Sequence, residues 1–102
     1  MNRQEQKAKG IIGFTVIETW QGMITRSELP VYRTHAIALQ EALREIEHRM
    51  LNDHPDGLDE EDKEIYKEAQ AQLVNGVTMV TLPELGNGSY DIYIRPIWKS
   101  TL

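Results

Sequence analysis

The sequence predicts an α+β two-layer sandwich, an antiparallel sheet made from two hairpins (β-β-α-α-β-β) with a helical hairpin packed on one face. Three observations predict it. Runs of β-branched and aromatic residues fall at 10–20 and 90–98, each beside a shorter run of the same kind. Between them, residues 34–74 carry apolar side chains at helical spacing, interrupted by the turn-rich stretch NDHPDGLDEED at 52–62. The chain of 102 residues is the size of one domain, and nothing in it resembles a linker. Each helix buries its apolar stripe most economically against one sheet face.

Residues 1–9 have no apolar periodicity and are expected to form a flexible tail ahead of a single domain at 10–102. In GIIGFTVIETW, residues 10–20, Ile12, Phe14 and Val16 alternate with Gly13, Thr15 and Ile17, a strand pattern. Gln21-Gly22 supplies a tight turn, and residues 23–26 return as a shorter strand. Pro30 disfavours helical geometry at Leu29, so residues 27–33 connect rather than coil. The first long helix follows: Ala36, Leu39, Leu43, Ile46 and Met50 recur at intervals of three and four behind an N-capping Thr34. A second helix spans about residues 59–74, with Asp59 at its start and Ile65, Ala69, Leu73 and Tyr66 on its apolar side; Asn75-Gly76 ends it. Strands are expected at 77–82 and 90–98, joined by a loop at 83–89. Tyr90, Ile92 and Ile94 share one face of the last strand, and Asp91, Tyr93 and Arg95 the other. Pro96 lacks a donor, which predicts that this strand stops there or lies at an edge. With seven aromatic residues in all, the core is the default place for Trp20 and Trp98.

Composition narrows the function. The chain has no cysteine, so disulfides and thiolate metal sites are excluded. No apolar run approaches the roughly 18 residues that span a bilayer, and the polar N-terminus lacks the apolar core of a secretory signal. A cytoplasmic setting is expected. The net charge of −5 is unevenly spread: residues 41–68 hold eleven acidic and four basic side chains, a balance of −7 that leaves the rest of the chain at +2. Nucleic-acid binding needs a basic stripe, so none is expected; a basic protein partner suits this layout.

Motifs for chemistry fail on position. Read as a calcium loop, Asn52, His54 and Asp56 would take positions one, three and five with Gly57 at six, but Lys63 then stands where a bidentate Glu belongs. Glu45 and His48 have the Glu-x-x-His spacing of di-metal bundles, which need two such motifs and two more carboxylates. There is no Gly-x-Ser-x-Gly elbow, and Gly86-Asn87-Gly88-Ser89 lacks the length and lysine of a phosphate loop. The expectation is a non-enzyme with no metal and no cofactor.

Two surfaces remain. An acidic helical surface offers Glu41, Glu45, Asp56, Asp59 and Glu60, continued by Glu61, Asp62, Glu64 and Glu68. The alternative is a homo-oligomer that sequesters a small anionic ligand, such as a nucleotide signal, with Arg26, Arg33, Tyr93, Arg95 and Trp98. A third reading is an assembly subunit joined through a free sheet face. In size, acidity, lack of cysteine and a strand-rich chain around an acidic helical hairpin, the sequence resembles the small accessory and anti-defence proteins that bacteriophages encode. The resemblance spans the whole length and rests on no motif. It implies an inhibitor that acts in the host cytoplasm by binding a host protein with a basic site.

Overall fold

The β-branched run forms β1 (Ile11–Trp20), which Gln21 and Gly22 turn back at φ values of 52° and 81° into the short β2 (Met23–Ile24). Positive φ at both turn residues is what a two-residue hairpin of the right twist requires. The computed structural model describes residues 3–25, 29–52, 57, 59–82 and 90–99. Two helices follow β2, α2 (His35–Asn52) and α3 (Glu60–Val74), and then β3 (Met79–Leu82) and β4 (Tyr90–Trp98). The four strands form one antiparallel sheet in the order β2-β1-β4-β3. Both helices pack on one face of it, giving the two-layer sandwich that the patterning predicts.

The central pair runs in register from Ile11↔Trp98 to Trp20↔Tyr90, with a bulge between Ile11 and Gly13. That bulge corrects the predicted alternation. It pushes Ile12 out of phase and into solvent, while Phe14 and Val16 stay buried beside Ile92 and Ile94. Gly13 sits where Tyr32 bridges to β1: Phe14 and Tyr32 exchange backbone bonds of 2.8 and 2.7 Å. A Cβ at Gly13 would stand 2.8 Å from the Tyr32 carbonyl oxygen and 3.0 Å from Val31 Cγ1. Gly13→Ala is therefore expected to destabilise the fold by about 1–3 kcal/mol in denaturant titration. A change under about 0.5 kcal/mol would show that the Tyr32 segment is not held against β1.

Pro96 does not end β4. The Ile94 N–H donates to the Thr78 carbonyl at 2.9 Å, so even-numbered residues of β4 turn their backbone groups toward β3. β3 has already ended opposite Pro96, and the missing donor therefore faces no described strand. The predicted edge is local: β4 is flanked on that side over Tyr90–Ile94 and by no described strand beyond.

Both helix starts are capped as predicted. The Ile37 N–H donates to Thr34 Oγ1 at 3.2 Å, and the Asp62 N–H to Asp59 Oδ1 at 2.8 Å. Gly76, at φ 98°, closes α3, with its N–H donating to the Leu73 carbonyl. The buried stripes differ in detail. On α2 the side chains nearest the sheet are Ala38, Ala42 and Ile46, with Leu39, Leu43 and Met50 flanking and Ala36 exposed. Alanine lets the helix approach the sheet closely, so small residues take the centre. On α3 Tyr66, Ala69 and Leu73 are buried as expected, but Ile65 is 41% exposed and lies beside the buried stripe rather than in it.

Residues expected as a tail contain a helix, α1 (Arg3–Ala8). Its Gln6 is buried and donates through Nε2 to the Arg33 carbonyl at 2.8 Å, tying α1 to the start of α2. One satisfied amide, invisible to apolar periodicity, accounts for the difference. Nearby, the His35 ring meets Phe14 edge-on, with centroids 5.3 Å apart. Burial there holds the imidazole pKa below its ordinary 6.5. The unfolded chain then takes up the proton first as pH falls, so this contribution to stability is present above about pH 6.5 and fades below it. His35→Gln is expected to flatten the fall in melting temperature between about pH 7.5 and about pH 5.5; an equal fall in both proteins would contradict this role.

Candidate functional site

The acidic residues do not form one surface. Glu41 lies 3.0 Å from Arg44, and Glu45 lies 3.4 Å from Arg49. Both line a cavity of about 220 Å³ between α2 and β1, together with Glu18, Arg44 and His48. That volume falls below the roughly 300–1,000 Å³ of ordinary small-molecule sites. Its acids are engaged by neighbouring arginines, and the His48 ring nitrogen lies 3.2 Å from Asn52 Nδ2. Among the described residues no three His, Asp or Glu side chains are grouped to hold a metal ion.

Beneath this cavity lies a polar cluster that periodicity does not reveal. Glu18 is 1% exposed on the helix-facing side of β1. Tyr90 Oη donates to Glu18 Oε1 at 2.7 Å, and Arg49 Nη2 donates to the same phenol oxygen. The Arg49 guanidinium stacks 3.4 Å from the Tyr90 ring centroid, and its Nε lies 3.7 Å from Glu18. Burial, then the hydrogen bond to Glu18, pushes the Tyr90 phenol well above its usual range. The cluster pins α2 to the centre of the sheet. Its sequence signal is an acid at a core-facing strand position, Glu18, in phase with Phe14 and Val16.

The remaining acids belong to α3. Asp59 is consumed by the cap, Glu60 lies 3.5 Å from Lys63, and Asp62 sits in the first turn. Glu61, Glu64 and Glu68 have no cationic partner among the described residues. They line an open groove between α3 and the sheet edge with Ile65, Gln72 and Thr81. Spacing explains the grouping: 61, 64, 65 and 68 fall on one helical face, adjacent to the buried stripe of Tyr66, Ala69 and Leu73. Asp56 lies outside the described residues.

Of the alternative ligand set, Tyr93, Arg95 and Trp98 line a second groove with Thr78, Met79 and Pro96. The Arg95 guanidinium carbon rests 5.3 Å from the Tyr93 ring centroid, a cation–π contact that engages the one arginine among the described residues of the groove. Arg33 is not in this groove, and Arg26 lies outside the described residues. Neither tryptophan is in the core: Trp20 is 45% and Trp98 56% exposed. Trp20 ends β1 at the hairpin turn, and Trp98 lies on β4 beyond the reach of β3. No described helix is long and apolar enough to cross a membrane. No family model, curated protein or solved structure matches the chain.

Proposed function

We propose that the chain is a non-catalytic binding protein that receives a basic surface of a protein partner in the groove between α3 and the edge of the sheet. One observation carries the reading. Glu61, Glu64 and Glu68 stand together without a cationic partner among the described residues, around the half-exposed Ile65. α3 carries five acidic side chains, Glu60, Glu61, Asp62, Glu64 and Glu68, against Lys63 and Lys67; this excess attracts a cationic partner over a Debye length, and an apolar residue in the groove gives that partner area to bury. Glu41 and Glu45, held by arginines, play no part in this reading. The consequence for a partner is competition: a basic site covered by this groove is closed to nucleic acid or to any other acidic ligand. In this proposal the chain is an inhibitor of a host protein, as the resemblance to small phage accessory proteins implies. The test is affinity capture on the immobilised full chain, with the Glu61→Lys/Glu64→Lys/Glu68→Lys variant alongside. A protein retained by the native chain, released by salt and ignored by the variant is the expected result; equal retention by both would exclude this groove.

A further inference from the structure

We propose that the partner enters as an added β-strand along the edge of β3 that no described strand pairs with, with basic side chains alternating with apolar ones; the proposal rests on the groove reading above. β3 is the last strand of the sheet. The Ile94 N–H bond to the Thr78 carbonyl fixes its phase: Thr78, Val80 and Leu82 turn their backbone groups toward β4. Met79 and Thr81 therefore turn theirs outward, two N–H and two C=O groups presented at the edge. Natural edges are guarded by Lys, Pro, a bulge or simple shortness; the Met-Val-Thr-Leu of this strand carries no Lys, Pro or bulge, and its four residues are its one guard among these.

The surroundings of that edge define its occupant. On the helix side stand Glu61, Glu64 and Glu68; a second groove, lined by Tyr93 and Trp98, begins at Met79. Side chains of a strand alternate between faces. An added strand thus places every second residue over carboxylates and the intervening ones on the face of the sheet that carries Tyr93. A second copy of the chain is the wrong occupant. Two β3 edges paired about a two-fold axis would bring two unneutralised α3 faces alongside each other.

The probe is a labelled, end-capped peptide of about eight residues alternating Lys and Val, titrated against the full chain at low salt by fluorescence anisotropy. Two derivatives carry backbone N-methyl groups, one on every Lys and the other on every Val. In an added strand only one of these sets of amides faces β3. One derivative is expected to lose about tenfold or more in affinity and the other to bind like the parent. Met79→Pro is expected to weaken the parent peptide similarly, because proline at the first position of an edge strand removes an outward donor and keeps the pairing with β4. Parent and both derivatives binding alike, with binding still lost in Glu61→Lys/Glu64→Lys/Glu68→Lys, would overturn strand addition and leave the groove reading intact. No binding of the parent peptide to the native chain would overturn both. A doubled mass that disappears in Met79→Pro would give the edge to a second copy and overturn the proposal.

Discussion

Replacing Arg49 by methionine is expected to destabilise the fold by about 3–5 kcal/mol, because it leaves the Glu18 carboxylate buried without its cation. Glu18 is 1% exposed, the Tyr90 hydroxyl donates to it at 2.7 Å, and Arg49 is the arginine stacked on that ring. Methionine keeps most of the stem volume and removes the charge, so packing loss is a minor part of the effect. In a domain of this size the loss lowers the melting temperature by roughly 12 °C or more. Glu18→Gln in the Arg49→Met background restores most of it, since the amide oxygen still accepts from Tyr90 and no buried charge remains. Urea unfolding followed by circular dichroism measures both. Arg49→Met within about 0.5 kcal/mol of the native chain, or a double variant no better than the single, would contradict this account of the cluster.

The second large effect is on binding. Reversing Glu61, Glu64 and Glu68 to lysine is expected to reduce affinity for the captured basic partner by about a hundredfold or more. Each exposed ion pair contributes on the order of 0.2–1 kcal/mol, and reversal turns each attraction into a repulsion of similar size. Stability is expected to fall by about 1 kcal/mol, chiefly because Glu61 lies in the first turn of α3, where a lysine opposes the helix dipole. Glu41→Lys, on the other side of α2 and beside Arg44, is the control for net charge. It is expected to weaken binding by less than about threefold, a change under 1 kcal/mol. Surface plasmon resonance on the folded variants separates the two outcomes; Glu41→Lys reverses one charge where the triple variant reverses three, so a loss of about a third of the triple variant's free energy from it would mean that overall charge acts rather than this groove.

The elements of the fold were legible because each has a local cause: β-branched runs for the strands, Thr34 and Asp59 for the helix starts, and Gly22 and Gly76 for the turns. What needs a partner distant in sequence was not. Glu18 and Tyr90 meet across the central strands, and Arg49 reaches them from α2 because Ala38 and Ala42 let that helix lie close. The Ile12 bulge is set by pairing with β4, and the buried Gln6 by a carbonyl at Arg33. The candidate site was legible as charge but not as place. Counting acids joins Glu41 and Glu45 to Glu61, Glu64 and Glu68; the i,i+3 and i,i+4 spacing to Arg44 and Arg49 marks the first two as paired, and packing places those two beside β1 and the last three along the groove at the sheet edge.

The most direct measurement is the affinity of the captured partner for the native chain across a salt series from about 0.05 to about 0.5 M, a range over which the screening length falls several-fold. Affinity is expected to fall steeply as salt rises, and to be weak and nearly flat for the Glu61→Lys/Glu64→Lys/Glu68→Lys variant. A partner held as tightly at the top of the series as at the bottom would contradict an acidic groove as the binding site.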